Sequence, residues 1–298
     1  METAPIALFV YKRPEHTRQT IAALRENLLA ADSDLVVFSD APRSEVDMSA
    51  VAEVRQLLAS LDGFKSITVI ERTQNLGLAN SIIDGVNMLC SKYGRVIVVE
   101  DDLVTSPYFL TYMNDGLRCY ENDDDVVSIH GYIYPTGEKL PETFFLRGAD
   151  CWGWATWARA WQHFDADGAR LLKALKVQKL TRLFDFDNAT NYVSMLESQI
   201  AGKNDSWAIR WYASAFLLNK LTLYPGISLV QNIGTDSSGT HCQATHAYIG
   251  ALSTVPVSVN RIKMEDSLPG RAAVTRYFRS NKPSLWRRVW TRLSGMLA

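Results

Sequence analysis

Three consecutive acids, Glu100, Asp101 and Asp102, close an unbroken apolar run from Val96 to Val99. Adjacent carboxylates repel one another, so the pattern calls for a cation among them. Hard carboxylate oxygens suit Mg²⁺ or Mn²⁺, ions that bridge protein carboxylates to substrate phosphates. The same letters would serve a solvated acidic turn before a helix, where acids complement the helix dipole. The run in front separates the two readings. A short apolar stretch bounded by charge reads as a buried strand of a parallel sheet, and open α/β sheets take their ligands at the carboxyl ends of such strands.

Other chemistry-bearing residues fall at comparable positions. Arg13 follows the first apolar run and is expected to approach a ligand at that edge. Asp40 ends the second run, Leu35 to Phe38, beside Pro42; a turn or helix-cap role suits it as well. Asn75-Leu76-Gly77 is a tight turn into a helix, where glycine permits close backbone approach and the helix start offers free N–H groups. Asn80 lies one turn further on. His241 and His246 are five apart, which is not HExxH, so a zinc-protease reading is poor. Ser237 and Ser238 lack a GxSxG context, which disfavours a serine hydrolase.

The elements that position these residues alternate. Ile6 to Tyr11 is β-prone, and Pro14 opens a helical pattern carrying Ile21, Leu24 and Leu28. After the second strand, Val51, Val54, Leu57, Leu58 and Leu61 mark a helix ended by Gly63. Ile67 to Ile70 is a third strand, and Ile82, Ile83, Val86 and Leu89 continue the helix begun at Gly77. Val96 to Val99 is the fourth strand, and Val126 to Ile129 a fifth. Such alternation predicts a parallel sheet with right-handed crossovers. Beyond residue 131 the pattern changes. FFLRGADCWGWATWARAWQHF is aromatic, with Trp154, Trp157 and Trp161 at helical spacing, and residues 169 to 201 are polar and helical. NDSWAIRWYASAFLLNK, a strand pair LTLYPGISLV and the loop QNIGTDSSGTHCQATH follow. No Pro/Gly/Ser-rich linker separates the halves, so one continuous body is expected.

In this order the segments resemble GT-A glycosyltransferases. LFVYKRPEHTRQTIAAL, VFSD, NLGLANSIIDGV and VIVVEDDLVTSPYFLTYM look like the donor half of bacterial family-2-type enzymes. They are also similar to the eukaryotic N-acetylglucosaminyltransferase of N-glycan synthesis, whose acidic motif likewise reads Glu-Asp-Asp. WGWATWARAW, NDSWAIRW and YPGISLVQNIGTDSSGTH continue the likeness to about residue 245. The resemblance implies an α/β fold of GT-A (Rossmann-like) type, with a mostly parallel sheet flanked by helices and an acceptor-side lobe. It implies a donor half over residues 1–131, an acceptor-side half over 132–255 and an extension over 256–298.

It also implies roles. Asp102 would ligate Mn²⁺ or Mg²⁺, and the ion would neutralise the departing diphosphate of a nucleotide-sugar, UDP-linked by expectation. Asp101 and Glu100 would support the metal shell or bind ribose and sugar hydroxyls. Asp40 would meet the base, with Arg13, Asn75 and Gly77 completing the cofactor-binding edge. Asp205, just before a Trp-containing helix, would be the general base of an inverting transfer, with capping of that helix as its other role. Asp150 is the reserve base, and Trp152 and Gly153 would line the sugar pocket. His241 would complete the metal or diphosphate site, or else be a surface loop histidine.

PSLWRRVWTRLSGMLA, residues 283–298, reads as an amphipathic helix that would place Leu285, Trp286, Val289, Trp290, Leu293 and Met296 on one face and Arg287, Arg288 and Arg292 on the other. It suits an anionic membrane surface, which a lipid-linked glycan acceptor would explain; docking on protein is the alternative. A net charge of −1 argues against a broad nucleic-acid surface. Cys90, Cys119, Cys151 and Cys242 show no paired or CxxC pattern and read as reduced thiols. The N-terminus runs straight into a strand, with no signal-peptide pattern, and no apolar segment is long enough to span a bilayer. A cytoplasmic enzyme of surface-polysaccharide assembly, peripheral on the inner membrane face, fits these features. The rivals are a sugar nucleotidyltransferase, whose glycine-rich phosphate loop the YKRPEHT segment lacks, a non-catalytic sugar-binding protein on the same fold, and a transferase that retains the anomeric configuration.

Overall fold

The computed structural model describes residues 2–236 and 247–282. His241, His246, Ser237, Ser238, Cys242 and the amphipathic segment 283–298 lie outside the described residues.

The chain runs β1 (Ile6–Val10), α1 (Pro14–Arg25), β2 (Asp34–Ser39), α2 (Met48–Leu58), β3 (Ser66–Glu71), α3 (Gly77–Tyr93), β4 (Arg95–Glu100), β5 (Leu103–Thr105) and α4 (Phe109–Cys119). It continues through β6 (Val126–His130), β7 (Thr143–Arg147), β8 (Trp154–Trp157), α5 (Ala158–Trp161), α6 (Gly168–Val177), α7 (Thr181–Phe184) and α8 (Tyr192–Ile200). It closes with α9 (Trp207–Leu217), β9 (Leu221–Pro225), β10 (Val230–Asn232) and α10 (Leu268–Ser280).

Eight strands form one sheet in the order β3-β2-β1-β4-β8-β6-β9-β7, and β5 pairs with β10 in a small antiparallel ribbon. The four strands from β3 to β4 are mutually parallel. Because β8 runs antiparallel to both β4 and β6, and β9 is parallel to β6, six of the eight strands point the same way. Their carboxyl ends therefore share one edge, the expected ligand edge of an α/β sheet. The expected α/β architecture is the one found, and a single sheet runs through both halves.

The apolar runs explain the centre. β1 and the four apolar residues of β4 are buried throughout, as strands covered on both faces must be. Three expected details differ. Leu28 and Leu61 lie beyond the ends of α1 and α2: Leu28 is exposed, and Gly63 does not end α2, which stops at Leu58. LTLYPGISLV is not a strand pair, because β9 joins the main sheet while β10 leaves it for β5.

The third difference concerns the tryptophans. Trp154 and Trp157 belong to a strand, not a helix, and their three-residue spacing sends them to opposite faces. Trp154 stacks on Trp207 of α9 with centroids 5.4 Å apart, and also meets Trp161 and Trp211. Trp157 points the other way and donates its indole N–H to the Leu117 carbonyl of α4 at 3.1 Å. Trp161 donates to Asn87 of α3 at 2.7 Å. This seam locks α3, α5 and α9 onto one face of the strand beside β4. Trp154→Ala should cost roughly 3–5 kcal/mol of stability, read as a lower urea midpoint at unchanged slope.

Residues 256–282 do not hang free. Ser267 donates its N–H to Phe145 of β7 at 2.8 Å, Arg271 reaches the Leu183 carbonyl, and α10 lies on the edge strand.

Candidate functional site: an acid cluster held by one arginine

β4 delivers Glu100 opposite Phe9 of β1, so the three acids emerge where β1 also ends. Two neighbours fix the backbone there: Thr20 of α1 donates its hydroxyl to the Asp101 carbonyl at 2.8 Å, and the Ile233 N–H donates to the Asp102 carbonyl at 2.8 Å. The cation that three adjacent carboxylates require is supplied by the chain itself. The Arg13 guanidinium pairs with Asp101 and, at 2.8 Å, with Oδ2 of Asp102. All three side chains are largely buried, at 19% exposure for Arg13, 7% for Asp101 and 13% for Asp102. Gly234 closes over the pair: a Cβ there would lie 2.2 Å from Asp102 Oδ2 and 2.9 Å from Arg13.

The electrostatics follow from this geometry. Burial works against the charge of Arg13, but Asp101 and Asp102 outweigh it and raise its affinity for the proton. Burial also raises Asp101, with Arg13 opposing. Glu100 is pushed up to about 8 by burial first, then by Asp102 and Asp101, and only Arg13 counteracts them. Three carboxyls facing one guanidinium carry a net −2 when fully ionised (three negative charges against one positive). Oδ1 of Asp102 and the Glu100 carboxylate accept no hydrogen bond among the described residues.

These residues fit a divalent cation of the Mg²⁺ or Mn²⁺ kind. No group of three or more ligating side chains occurs among the described residues. Ions of this kind can use one or two protein carboxylates and complete their shell with water and substrate phosphates.

Asp40 takes the capping role that the sequence also allowed it. It is buried, and its two oxygens accept from the N–H groups of Ala41 (2.9 Å), Leu76 (3.0 Å) and Gly77 (3.0 Å) and from the Asn75 side chain (3.2 Å). Asn75 also donates to the Ala41 carbonyl at 2.7 Å. The N–H groups of Leu76 and Gly77 at the start of α3 are therefore not free for a ligand; a carboxylate from the neighbouring strand end satisfies them. Gly77 has φ +73°, so the turn needs a residue without a Cβ penalty. Asn80 is exposed and donates to the Leu76 carbonyl, one turn back in its own helix.

The two candidate bases stand on the same sheet edge. α9 leads into the start of β9, so its first turn lies at the ligand end, and Trp207 there stacks on Trp154. Ser206, not Asp205, caps α9, accepting from the Ile209 N–H at 3.2 Å. Asp205 is left exposed at 61%, with Arg210 3.5 Å away. Asp150 lies in the loop before β8. Trp154 pairs with Val98, so that loop rises beside the end of β4. Asp150 accepts from the Tyr134 hydroxyl at 3.1 Å and the Cys151 N–H at 3.0 Å. Around it Tyr134, Trp152, Tyr192, Tyr248 and Phe278 form a half-buried aromatic group. Buried His130, whose affinity for a second proton is lowered by desolvation, accepts the Trp152 N–H at 3.1 Å and so holds this loop.

Two features escaped the pattern reading. Tyr11 and Lys12 at the end of β1 both bind Asp47, at 2.8 and 2.7 Å, and Tyr11 accepts the Arg43 N–H. Asp47 closes a short 3₁₀ turn, Glu45–Asp47, directly before α2, and only the tyrosine at a strand end signalled it. His16 in the first turn of α1 pairs with Asp236 at 3.2 Å, a contact between segments 220 residues apart in the chain.

No protein-family model matches the chain, and no curated protein matches it. Among solved structures, the mannosyltransferase PcManGT from Pyrobaculum calidifontis, in complex with GDP-Man and Mn²⁺, superposes with a TM-score of 0.38 at 13% identity, over 72% of this chain and 70% of its own. Glucosyl-3-phosphoglycerate synthase from Mycobacterium tuberculosis, in complex with Mn²⁺, UDP-glucose and phosphoglyceric acid, gives 0.30 at 11% identity over 55% of this chain, which spans 59% of that enzyme's length. A UDP-glucose pyrophosphorylase complexed with UDP-glucose gives 0.35 at 10% identity, over 74% of this chain and 90% of its own. Overlaps this partial carry no inference about activity.

A carboxyl whose folded pKa is raised destabilises the fold once it ionises. The penalty from Glu100 is absent below its unfolded value and grows as pH rises toward about 8. In chelator, wild type should therefore lose thermal stability relative to Glu100→Gln between about pH 5 and about pH 8; a constant difference across that range would contradict the assignment. Asp40→Ala, which orphans buried N–H groups, should cost roughly 1–3 kcal/mol in chemical denaturation.

Proposed function

We propose that the chain is an inverting, divalent-metal-dependent glycosyltransferase that moves a sugar from a nucleotide-diphospho-sugar, UDP-linked in the simplest case, to a glycan or lipid-linked acceptor. The observation that carries the reading is the buried cluster of three carboxyl groups at the end of β4 around a single guanidinium. The motif order of the chain supports it.

On this reading residues 1–131 hold the donor, 132–255 the acceptor and 256–298 the extension. Asp102 and Glu100 would hold Mn²⁺ or Mg²⁺, which when bound supplies charge neutralisation for the departing diphosphate. Arg13 offers a fork of donors suited to phosphate. Tyr11, at the end of β1, offers a ring for the base in place of Asp40. The acceptor hydroxyl oxygen bonds to the anomeric carbon as the bond from that carbon to the diphosphate breaks. The hydroxyl proton passes to a carboxylate, and the nucleoside diphosphate leaves with the electron pair. Asp205 is the base we assign, since no described helix cap occupies it. Asp150, among ring faces that suit the C–H face of a pyranose, positions the acceptor. Whether His241 joins the metal or diphosphate site is part of the same proposal, as is the membrane contact of residues 283–298. No helix among the described residues is long and apolar enough to cross a membrane.

A thermal-shift screen of nucleotide sugars with and without Mn²⁺, followed by transfer assays, tests this. Asp102→Asn should lose the metal-dependent part of the shift. Asp205→Asn should keep the shift and lose roughly 10²–10⁴-fold in transfer; the same loss confined to Asp150→Asn would exchange the two roles. A chain that no nucleotide sugar stabilises, with Mn²⁺ present, is not a glycosyltransferase of this kind, and one that binds but releases no nucleoside diphosphate is a binding protein.

A further inference from the structure

We propose that Arg13 couples cation binding to diphosphate binding: it occupies the acid cluster in the empty protein and leaves Asp102 only when a diphosphate arrives to receive it. The inference rests on the metal–diphosphate reading of this site and adds an order to it.

Arg13 is placed for such an exchange. Its backbone is immobilised, because its carbonyl accepts both the N–H and the hydroxyl of Thr17, at 2.9 and 2.8 Å, at the start of α1. Pro14 follows and restricts the chain further. Only the side chain is free to change partners. Its guanidinium engages Asp101 through two nitrogens and Asp102 through one, at 2.8 Å to Oδ2. Asp102 is therefore the weaker of the two attachments. Gly234 lies against this same Asp102–Arg13 contact, where a Cβ would collide with both side chains.

A divalent ion entering alone meets a fixed positive charge already bound to its best ligand. Ion and guanidinium repel within a few ångströms, in a site that water screens poorly. A diphosphate changes the balance. It offers the guanidinium a bidentate acceptor, and it offers the ion further oxygens. Arg13 then pairs with phosphate, and both oxygens of Asp102 become available. Each ligand therefore favours the other, and the coupling is reciprocal. Asp101, held at two points, keeps the arginine tethered between the two states.

Binding alone tests this, without turnover. Mn²⁺ is titrated by electron paramagnetic resonance, and UDP by calorimetry, each with and without the other. Wild type should bind Mn²⁺ weakly alone and at least about tenfold more tightly with UDP, a factor worth about 1.4 kcal/mol. Arg13→Gln should bind Mn²⁺ alone at least about tenfold more tightly than wild type, with the UDP-dependent gain reduced by a similar factor. Its melting temperature should rise on adding Mn²⁺ alone, which also certifies the variant's fold. Arg13→Lys keeps the charge without the fork, so it should bind Mn²⁺ alone as weakly as wild type while losing much of the UDP coupling. Adding Asp102→Asn to Arg13→Gln should remove the gained affinity. Should wild type show the UDP-dependent gain while Arg13→Gln binds Mn²⁺ alone no better, the coupling role of Arg13 is overturned and the metal–diphosphate reading stands. If no form binds Mn²⁺ with or without UDP, the metal–diphosphate reading itself falls.

Discussion

Burying carboxylates beside one another is tolerable only when an opposing charge is buried with them, and that constraint organises the centre of this molecule. Asp101 and Asp102 are taken out of water with Arg13 between them. To meet that requirement, α1 must begin one residue after β1's loop, so that Arg13 points back across the strand end. Thr20 must hold the Asp101 carbonyl, and the β10 loop must pass so close that only glycine fits at position 234. Strand, helix start and returning loop are thus three answers to one electrostatic problem.

The remainder of the sheet extends the same edge. β6 and β9 repeat the direction of β1 to β4, while β8 runs backward between β4 and β6. That reversal brings the loop carrying Asp150 and Trp152 to the end of β4 that delivers the acids, although Asp150 is nearly fifty residues away in the chain. The tryptophan seam around Trp154 makes the placement rigid. Trp207, Trp211 and Trp161 meet on it from two helices, and with them comes the N-terminus of α9, which carries Asp205.

Polar residues at such an edge compete between two employments. Helix starts expose N–H groups that must be satisfied, and the nearest carboxylate or hydroxyl is drawn to them. Asp40 is captured in this way by α3, and Ser206 by α9. Asp205 escapes because its neighbour fills the cap, and it keeps a carboxylate exposed on the edge. Residue type alone does not distinguish these outcomes, since aspartate serves equally as cap and as base.

Local pattern reading was strongest where a single covalent stretch contains the whole cause. The apolar runs of β1, β2 and β4, the proline that opens α1, the Gly77 turn and the acids after Val99 are all of this kind, and with them came the α/β class and its ligand edge. It failed where spacing admits two periods: Trp154 and Trp157, three apart, suit a helix as well as a short strand, and only the gap between β4 and β6 selected the strand. The partner of the acids, the cap of α3 and the company of Asp150 were settled by three-dimensional packing alone. Each joins segments tens of residues apart, and a charge or N–H group has no preference for a partner until folding decides which ones come within reach.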